Sequence, residues 1–94
     1  MAPLKTLRRG AALLDLATSL APIANRHAIS DVGVAALLAG TAMRGAAMNV
    51  RINLPYLPDG DDLAGQAGAD LDTHLADLDE RLGAVERTVA ERMA

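Results

Sequence analysis

The chain has few of the residues from which small proteins build disulfides, aromatic clusters and nucleic-acid surfaces. Its 94 residues include no cysteine, no tryptophan and no phenylalanine, and Tyr56 is the single tyrosine. The lack of cysteine excludes disulfide bonds and thiolate metal sites. The lack of stacking aromatics argues against nucleic acid as a partner. Leucine and alanine supply most of the apolar content, so the core is thin and we expect another subunit or a further segment to close it.

Long hydrophobic runs free of polar residues are also scarce. The stretch after the cationic residues 1–10 is broken by Asp15, so it lacks the continuous apolar region of a signal peptide. Residues 32–50 are long enough for a membrane span, but Arg44 lies inside them at a cost of about 2.5–3.5 kcal/mol. We therefore expect a cytoplasmic protein with no membrane partner. His27 and His74 lack further ligands nearby in sequence, so no metal site is expected.

The length of the chain predicts one small domain, residues 1–94. Charged residues are unevenly distributed along it. Residues 1–52 carry six basic and two acidic side chains, whereas residues 53–94 carry three basic and ten acidic ones. The middle of the basic half is too apolar to form a stripe that binds nucleic acid.

Hydrophobic periodicity predicts an all-α fold, a bundle of about three helices. The first helix is predicted from Pro3 to Leu20, with leucine and alanine repeating on one face. The second is predicted to begin at Ser30, a good N-cap residue, and to reach Asn53 or Leu54, because the following proline disfavours helical geometry in the residue before it. A turn over residues 55–60 leads to a third helical region, residues 61–93.

The second helix is long and rich in alanine and glycine. Before Arg44 it carries almost no polar side chain beyond its first turn, so we expect it to be central and buried on nearly every side. Gly33, Gly40 and Gly45 lie in its interior, where glycine disfavours helix but allows neighbouring helices to approach closely.

The third region has apolar residues at alternating spacings of four and three. This pattern is typical of a coiled-coil seam, which either pairs with another copy or packs on the first two helices. Packing is favoured because the seam is only about two and a half heptads long. The seam residues are Leu71, Leu75, Leu78, Leu82, Val85 and Val89.

Two sequence words, N-x-x-A-I-S-D-x-G-V-A-A-L-L-A and R-G-A-A-x-N-V-R-I-N-L, occur together in residues 25–54. In combination they resemble the cyclodeaminase/cyclohydrolase family, all-helical folate enzymes that include formiminotransferase-cyclodeaminase and methenyltetrahydrofolate cyclohydrolase. In that family a G-N-x-N-A-x-S-D loop precedes a long alanine-rich helix ending in N-V-x-x-N-L. The matching residues here are Asn25, Ala28, Ser30, Asp31, Asn49, Val50, Asn53 and Leu54.

The chain departs from the family pattern in its loop and in its length. Ala24 stands in place of the loop glycine and His27 in place of the second loop asparagine. The family domain is longer and begins with a Gly-rich segment that has no counterpart in residues 1–94. The chain therefore resembles the C-terminal half of a larger helical domain.

The resemblance implies one-carbon chemistry on a tetrahydrofolate derivative, without a metal or redox cofactor. A cyclodeaminase closes 5-formimino-tetrahydrofolate to the 5,10-methenyl form with loss of ammonia, and a cyclohydrolase opens the methenyl ring with water. Asp31 would supply the catalytic acid or base. The substrate-binding residues would be Asn49 and Asn53 on pterin or amide edges, Arg51 (or Arg44) on glutamate carboxylates, and Asn25 in the loop.

Helix geometry divides these candidates. At 100° per residue, Arg44 and Arg51 lie within about 20° of each other, on the side nearly opposite the asparagines. Asp31 shares the direction of Asn49 but lies about 27 Å away along the axis, so only other elements or a second subunit can bring them together.

Each candidate also has a purely structural interpretation. The negative charge of Asp31 in the first turn interacts favourably with the dipole of the second helix. Asn49 and Asn53 can form hydrogen bonds with backbone groups of the turn that follows this helix. The two arginines, Arg44 and Arg51, can pair with the acidic third region.

Three functions therefore remain open. The chain is a folate enzyme that forms a homo-oligomer, in the simplest case a homodimer. Alternatively it is a non-catalytic helical oligomerisation module derived from that family, or a subunit that complements a separate N-terminal half.

Overall fold

Helices make up all of the regular structure in the residues that the computed structural model describes, 2–58 and 62–94. The all-α prediction is thereby confirmed. Helices α1 and α2 begin and end within two residues of their predicted bounds, while the predicted start of the third region at residue 61 lies outside the described residues. The elements are α1 (Ala2–Leu20), α2 (Ile29–Asn53), a 3-10 turn (Leu54–Tyr56), α3 (Asp62–Leu75) and α4 (Leu78–Met93).

The third helical region is two helices rather than one. Asp77 leaves helical geometry, with φ −118° and ψ 17°, and separates α3 from α4. The reason is visible in the packing, because α3 contacts mainly α1 whereas α4 contacts mainly α2. The turn between them lets the first part of the apolar seam, on α3, pack mainly on α1 and the second part, on α4, pack mainly on α2. Five seam residues are buried and Leu75 is half-buried, so the expected packing on the first two helices is confirmed.

Helices α1 and α2 form an antiparallel pair with the most extensive contact in the molecule. Gly10 of α1 faces α2. A Cβ atom at Gly10 would lie 2.6 Å from Cγ of Met43 and 3.3 Å from the carbonyl oxygen of Ala39. Any side chain at position 10 would therefore push the two helices apart. Sequence analysis did not single out this glycine.

Two glycines of α2 let α4 pack closely against α2 in the same way. A Cβ atom at Gly40 would lie 2.6 Å from Cδ1 of Leu82, and one at Gly33 would lie 3.1 Å from Cγ1 of Val89. The prediction that glycines in α2 permit close helix approach is confirmed at these two positions. It is wrong for Gly45, where an added Cβ would have no neighbour within 4 Å.

The burial of α2 differs from the expectation that it is enclosed on nearly every side. One face, made mostly of glycine and alanine, is buried against α1 and α4. The opposite face is open, and its larger apolar side chains are 49–69% exposed: Val34, Leu37, Leu38, Met48 and Ile52. Glycine and alanine make up most of the inner face, where they let the neighbouring helices come close, and the larger residues buried there are Ile29, Met43 and Val50. Within the described residues, no helix is both long and apolar enough to cross a bilayer.

We predict that Gly40→Leu lowers the free energy of unfolding by about 1–3 kcal/mol, because the new side chain overlaps Leu82 in a closely packed contact. Urea denaturation at fixed protein concentration measures the change. Gly65→Leu in α3 is the matched control, since nothing lies within 4 Å of a Cβ there and only helix propensity changes. Equal stability of the two variants would show that α4 does not pack on Gly40.

Candidate functional site

The candidate site residues lie at the two ends of α2 and do not converge within one chain. Asn25 and Asp31 are at the N-terminal end, whereas Asn49, Arg51 and Asn53 are at the C-terminal end. Because α2 is one continuous helix, Asp31 and Asn49 are about 27 Å apart along its axis. A single copy therefore presents two separate half-sites.

Asn25 organises the loop that leads into α2. Its side-chain oxygen Oδ1 accepts hydrogen bonds from the backbone N–H groups of His27 and Ala28, both at 3.0 Å. These two hydrogen bonds hold the backbone of residues 25–28 in place just before the helix. Helix α2 then begins at Ile29, with Ala28 in the N-cap position. The prediction of Ser30 as the N-cap is therefore wrong. Ser30 lies in the first turn, and the polar side chain that satisfies backbone donors before the helix is Asn25.

Asp31 lies in the first turn of α2, as predicted, and its side chain is exposed. It lines a hollow of about 200 Å³ whose other walls include Leu16 and Leu20 of α1. Asp31 is the only ionisable side chain lining that hollow among the described residues. No described residue forms a hydrogen bond or an ion pair with its carboxylate. The group is free to meet a ligand or a second chain.

The two asparagines at the other end of α2 are exposed. Nδ2 of Asn53 donates a hydrogen bond to the backbone carbonyl of Asn49 at 2.9 Å, one turn earlier. Asn49 lines a hollow of about 400 Å³ that the N-terminus of α1 borders through Pro3 and Thr6. This end of the helix offers an amide side chain beside a surface of small residues.

Arg44 and Arg51 share a groove on another side of α2, which confirms that they face away from Asn49. The groove has a volume of about 260 Å³, and Leu75 and Asp79 are among its other lining residues. Arg44 forms an ion pair with Asp79, so the predicted pairing with the acidic region is confirmed for this arginine. It is not seen for Arg51, which has no acidic partner in the described residues. Arg51 is thus an available cation in the groove.

Charge pairing connects the basic and acidic halves of the chain more widely than sequence analysis predicted. Arg8 of α1 pairs with Asp70 of α3, with Nε at 2.9 Å from Oδ2, and Arg81 of α4 pairs with Asp15 of α1. Exposed pairs of this kind each contribute about 0–1 kcal/mol to stability. Their main consequence is that several basic groups are already paired. In residues 2–58 and 62–94 no group of His, Asp or Glu side chains is arranged to hold a metal ion.

A family model supplies the identification. The model described as formiminotransferase-cyclodeaminase matches residues 1–67. The chain belongs to this family. The matched span contains α1, α2 and the start of α3, and so includes Asp31 and all the candidate substrate-binding residues, whereas α4 lies beyond it. No curated protein and no solved structure matches the chain. The match thereby confirms the family that the two sequence motifs in residues 25–54 indicated.

We predict that Asn25→Ala lowers the free energy of unfolding by about 1 kcal/mol, because two backbone N–H groups before α2 lose their acceptor. Asn25→Asp, which keeps the acceptor oxygen, should retain most of the stability. Thermal unfolding of the three proteins makes the comparison. Asn53→Ala is the control, since that side chain only donates within an exposed helix turn. A destabilisation by Asn25→Ala no larger than that of Asn53→Ala would contradict this structural role.

Proposed function

We propose that the chain acts in one-carbon metabolism on a reduced folate, as a cyclodeaminase or cyclohydrolase whose site a second chain completes. The observation that carries the proposal is the family match over residues 1–67, which contains both polar ends of α2. At the level of the family, this match indicates folate one-carbon metabolism. The reaction and the roles of single residues are our inference.

The chemistry of the proposed reactions suits the groups at the N-terminal end of α2. Both ring closure with loss of ammonia and ring opening with water need a proton to move at nitrogen or at water. Asp31 has a carboxylate without a partner in the described residues, at the edge of an apolar hollow. A carboxylate in that setting can accept or donate the proton. This supports Asp31 as the acid–base residue.

The groups at the C-terminal end of α2 suit the binding of a pterin and of a carboxylate. Amide side chains such as Asn49 and Asn53 offer both donors and acceptors, which matches the edge of a pterin ring. The guanidinium of Arg51 can hold a carboxylate through two hydrogen bonds. Arg51 lines a different groove from Asn49, so the two cannot contact the same small group. We assign them to different parts of a long ligand.

A second candidate function is a non-catalytic oligomerisation module of the same family. The separation of Asp31 from Asn49 by about 27 Å favours it, because one copy alone forms no complete site. The enzyme interpretation requires a second chain, either another copy or a separately encoded N-terminal half rich in glycine. A Gly-rich helical sequence in the adjacent upstream reading frame would support the separate half.

We predict that the purified chain accelerates loss of the 5,10-methenyl-tetrahydrofolate absorbance above the spontaneous rate, or forms that absorbance from 5-formimino-tetrahydrofolate with release of ammonia. Asp31→Asn should lower the rate by about 100-fold or more, since general acid–base catalysis contributes on that scale. Asp72→Asn, an exposed carboxylate of α3 outside the site, is the matched control and should leave the rate unchanged. No acceleration, alone or with the product of an upstream Gly-rich frame, would leave only the non-catalytic module.

A further inference from the structure

The groove that Arg44 and Arg51 share contains two cations and one carboxylate. Arg44 forms an ion pair with Asp79, whereas Arg51 has no acidic partner in residues 2–58 and 62–94. Two positive charges and one negative charge leave the groove with a net positive charge. Such a groove favours an anionic ligand, because a further carboxylate would balance the charge.

The two arginines are spaced so that one ligand can contact both of them. Arg44 and Arg51 are seven residues apart on α2, which is about two turns and about 10.5 Å along the axis, and they differ by about 20° in direction. Both line the same groove. Each guanidinium can hold a carboxylate through two hydrogen bonds. A ligand with two carboxylates would therefore use both cations.

The walls of the groove between the two arginines are apolar. Ala47 and Met48 of α2 line one side, and Leu75 and Leu78 line the other side where α3 ends and α4 begins. The thioether of a methionine is a favourable neighbour for an aromatic ring. A volume of about 260 Å³ is small for a whole drug-sized molecule but suits one end of a longer ligand. The lining therefore fits an anion with an apolar or aromatic body.

We propose that this groove binds an N-acyl dicarboxylate and that Asp79 competes with one of the two ligand carboxylates for Arg44. The p-aminobenzoyl-glutamate end of a folate belongs to this chemical class. The ligand binds to Arg51, and its second carboxylate takes the place of Asp79 on Arg44. That the natural ligand is a folate rests on the proposed function, whereas the competition by Asp79 does not.

The ion pair between Arg44 and Asp79 is suited to such an exchange. Its side chains are 53% and 91% exposed, whereas each ion pair that joins α1 to α3 or to α4 has one partner only 23–24% exposed. Pairs as exposed as this one are weak. Asp79 also lies in the first turn of α4, where its charge still interacts favourably with the helix dipole after it has left Arg44. A ligand carboxylate can therefore replace it at little cost.

Asp79 also lies outside the part of the chain that the family model matches, which ends at residue 67. The two arginines lie inside the matched part. The competing carboxylate is thus supplied by α4, and the family match assigns it no role. Helix α4 would adjust how tightly the groove holds its ligand.

Titration with two small probes tests the groove. N-benzoyl-glutamate carries two carboxylates, and N-benzoyl-glutamine has the same size but only one. We expect N-benzoyl-glutamate to bind with a dissociation constant on the order of 1 mM and to shift the side-chain Nε–H signals of Arg44 and Arg51 in NMR spectra. Arg51→Gln should weaken both probes by about tenfold or more, because a charged hydrogen-bond donor is lost. If neither arginine signal shifts at about tenfold higher probe concentration, the proposal is wrong.

Asp79→Asn isolates the competition. It should strengthen the binding of N-benzoyl-glutamate by about 2- to 5-fold, because an exposed ion pair no longer has to be broken, and leave N-benzoyl-glutamine nearly unchanged. Glu80→Gln removes the same charge from the next residue of α4, and as the matched control it should change neither affinity. In an Arg44→Gln background Asp79→Asn should have no effect, since both substitutions act on one contact.

Three results would overturn the competition. Equal gains for the two probes, or an equal gain from Glu80→Gln, would show a general effect of charge. A gain that persists in the Arg44→Gln background would show that Asp79 acts through another group. Circular dichroism would establish that each variant is folded.

The groove and the proposed function can fail independently. Probe binding with the predicted Asp79→Asn effect, in a chain without folate activity, would keep the groove and refute the enzyme. Turnover of 5,10-methenyl-tetrahydrofolate with a KM that neither Asp79→Asn nor Arg51→Gln changes would keep the enzyme and refute the groove as its carboxylate subsite.

Discussion

The structure depends on the absence of side chains where helices cross. Gly10 lets α1 reach the backbone of α2, and Gly33 and Gly40 let α4 do the same from another side. A protein with no phenylalanine or tryptophan has few large side chains with which to fill a core. Close helix approach compensates for this, because it keeps the packing dense around small residues. As a result the inner face of α2 is made mostly of glycine and alanine, and five of its larger apolar side chains face outward.

The same constraint shapes what the chain can do. A straight helix of 25 residues holds Asp31 and Asn49 at opposite ends, and the hairpin of α1 and α2 does not fold them toward each other. The outward apolar residues between these ends form an exposed apolar surface. Membership of the formiminotransferase-cyclodeaminase family gives the polar groups a chemical context.

Sequence patterns predicted the features that depend on local geometry. The bounds of α1 and α2, the shared side of Arg44 and Arg51 and the family itself could all be read from spacing and motif. The inward face of α2 could not be predicted, because residues on every side of the helix are apolar and the contacts with α1 and α4 decide which of them face inward. The break at Asp77 depends on which helices α3 and α4 contact. The substrate-binding and catalytic roles of Asp31, Asn49 and the other candidates stay predictions.

Small-angle X-ray scattering measures most directly whether the open face of α2 is an interface between two copies. One copy is an elongated bundle measuring 53 × 19 × 16 Å between Cα atoms. Two copies paired side by side along α2 predict a particle with twice the mass of one chain and a longest dimension close to that of one copy, since the second copy lies alongside the first. A particle with the mass of one chain, or one of doubled mass and nearly doubled length, would contradict the account.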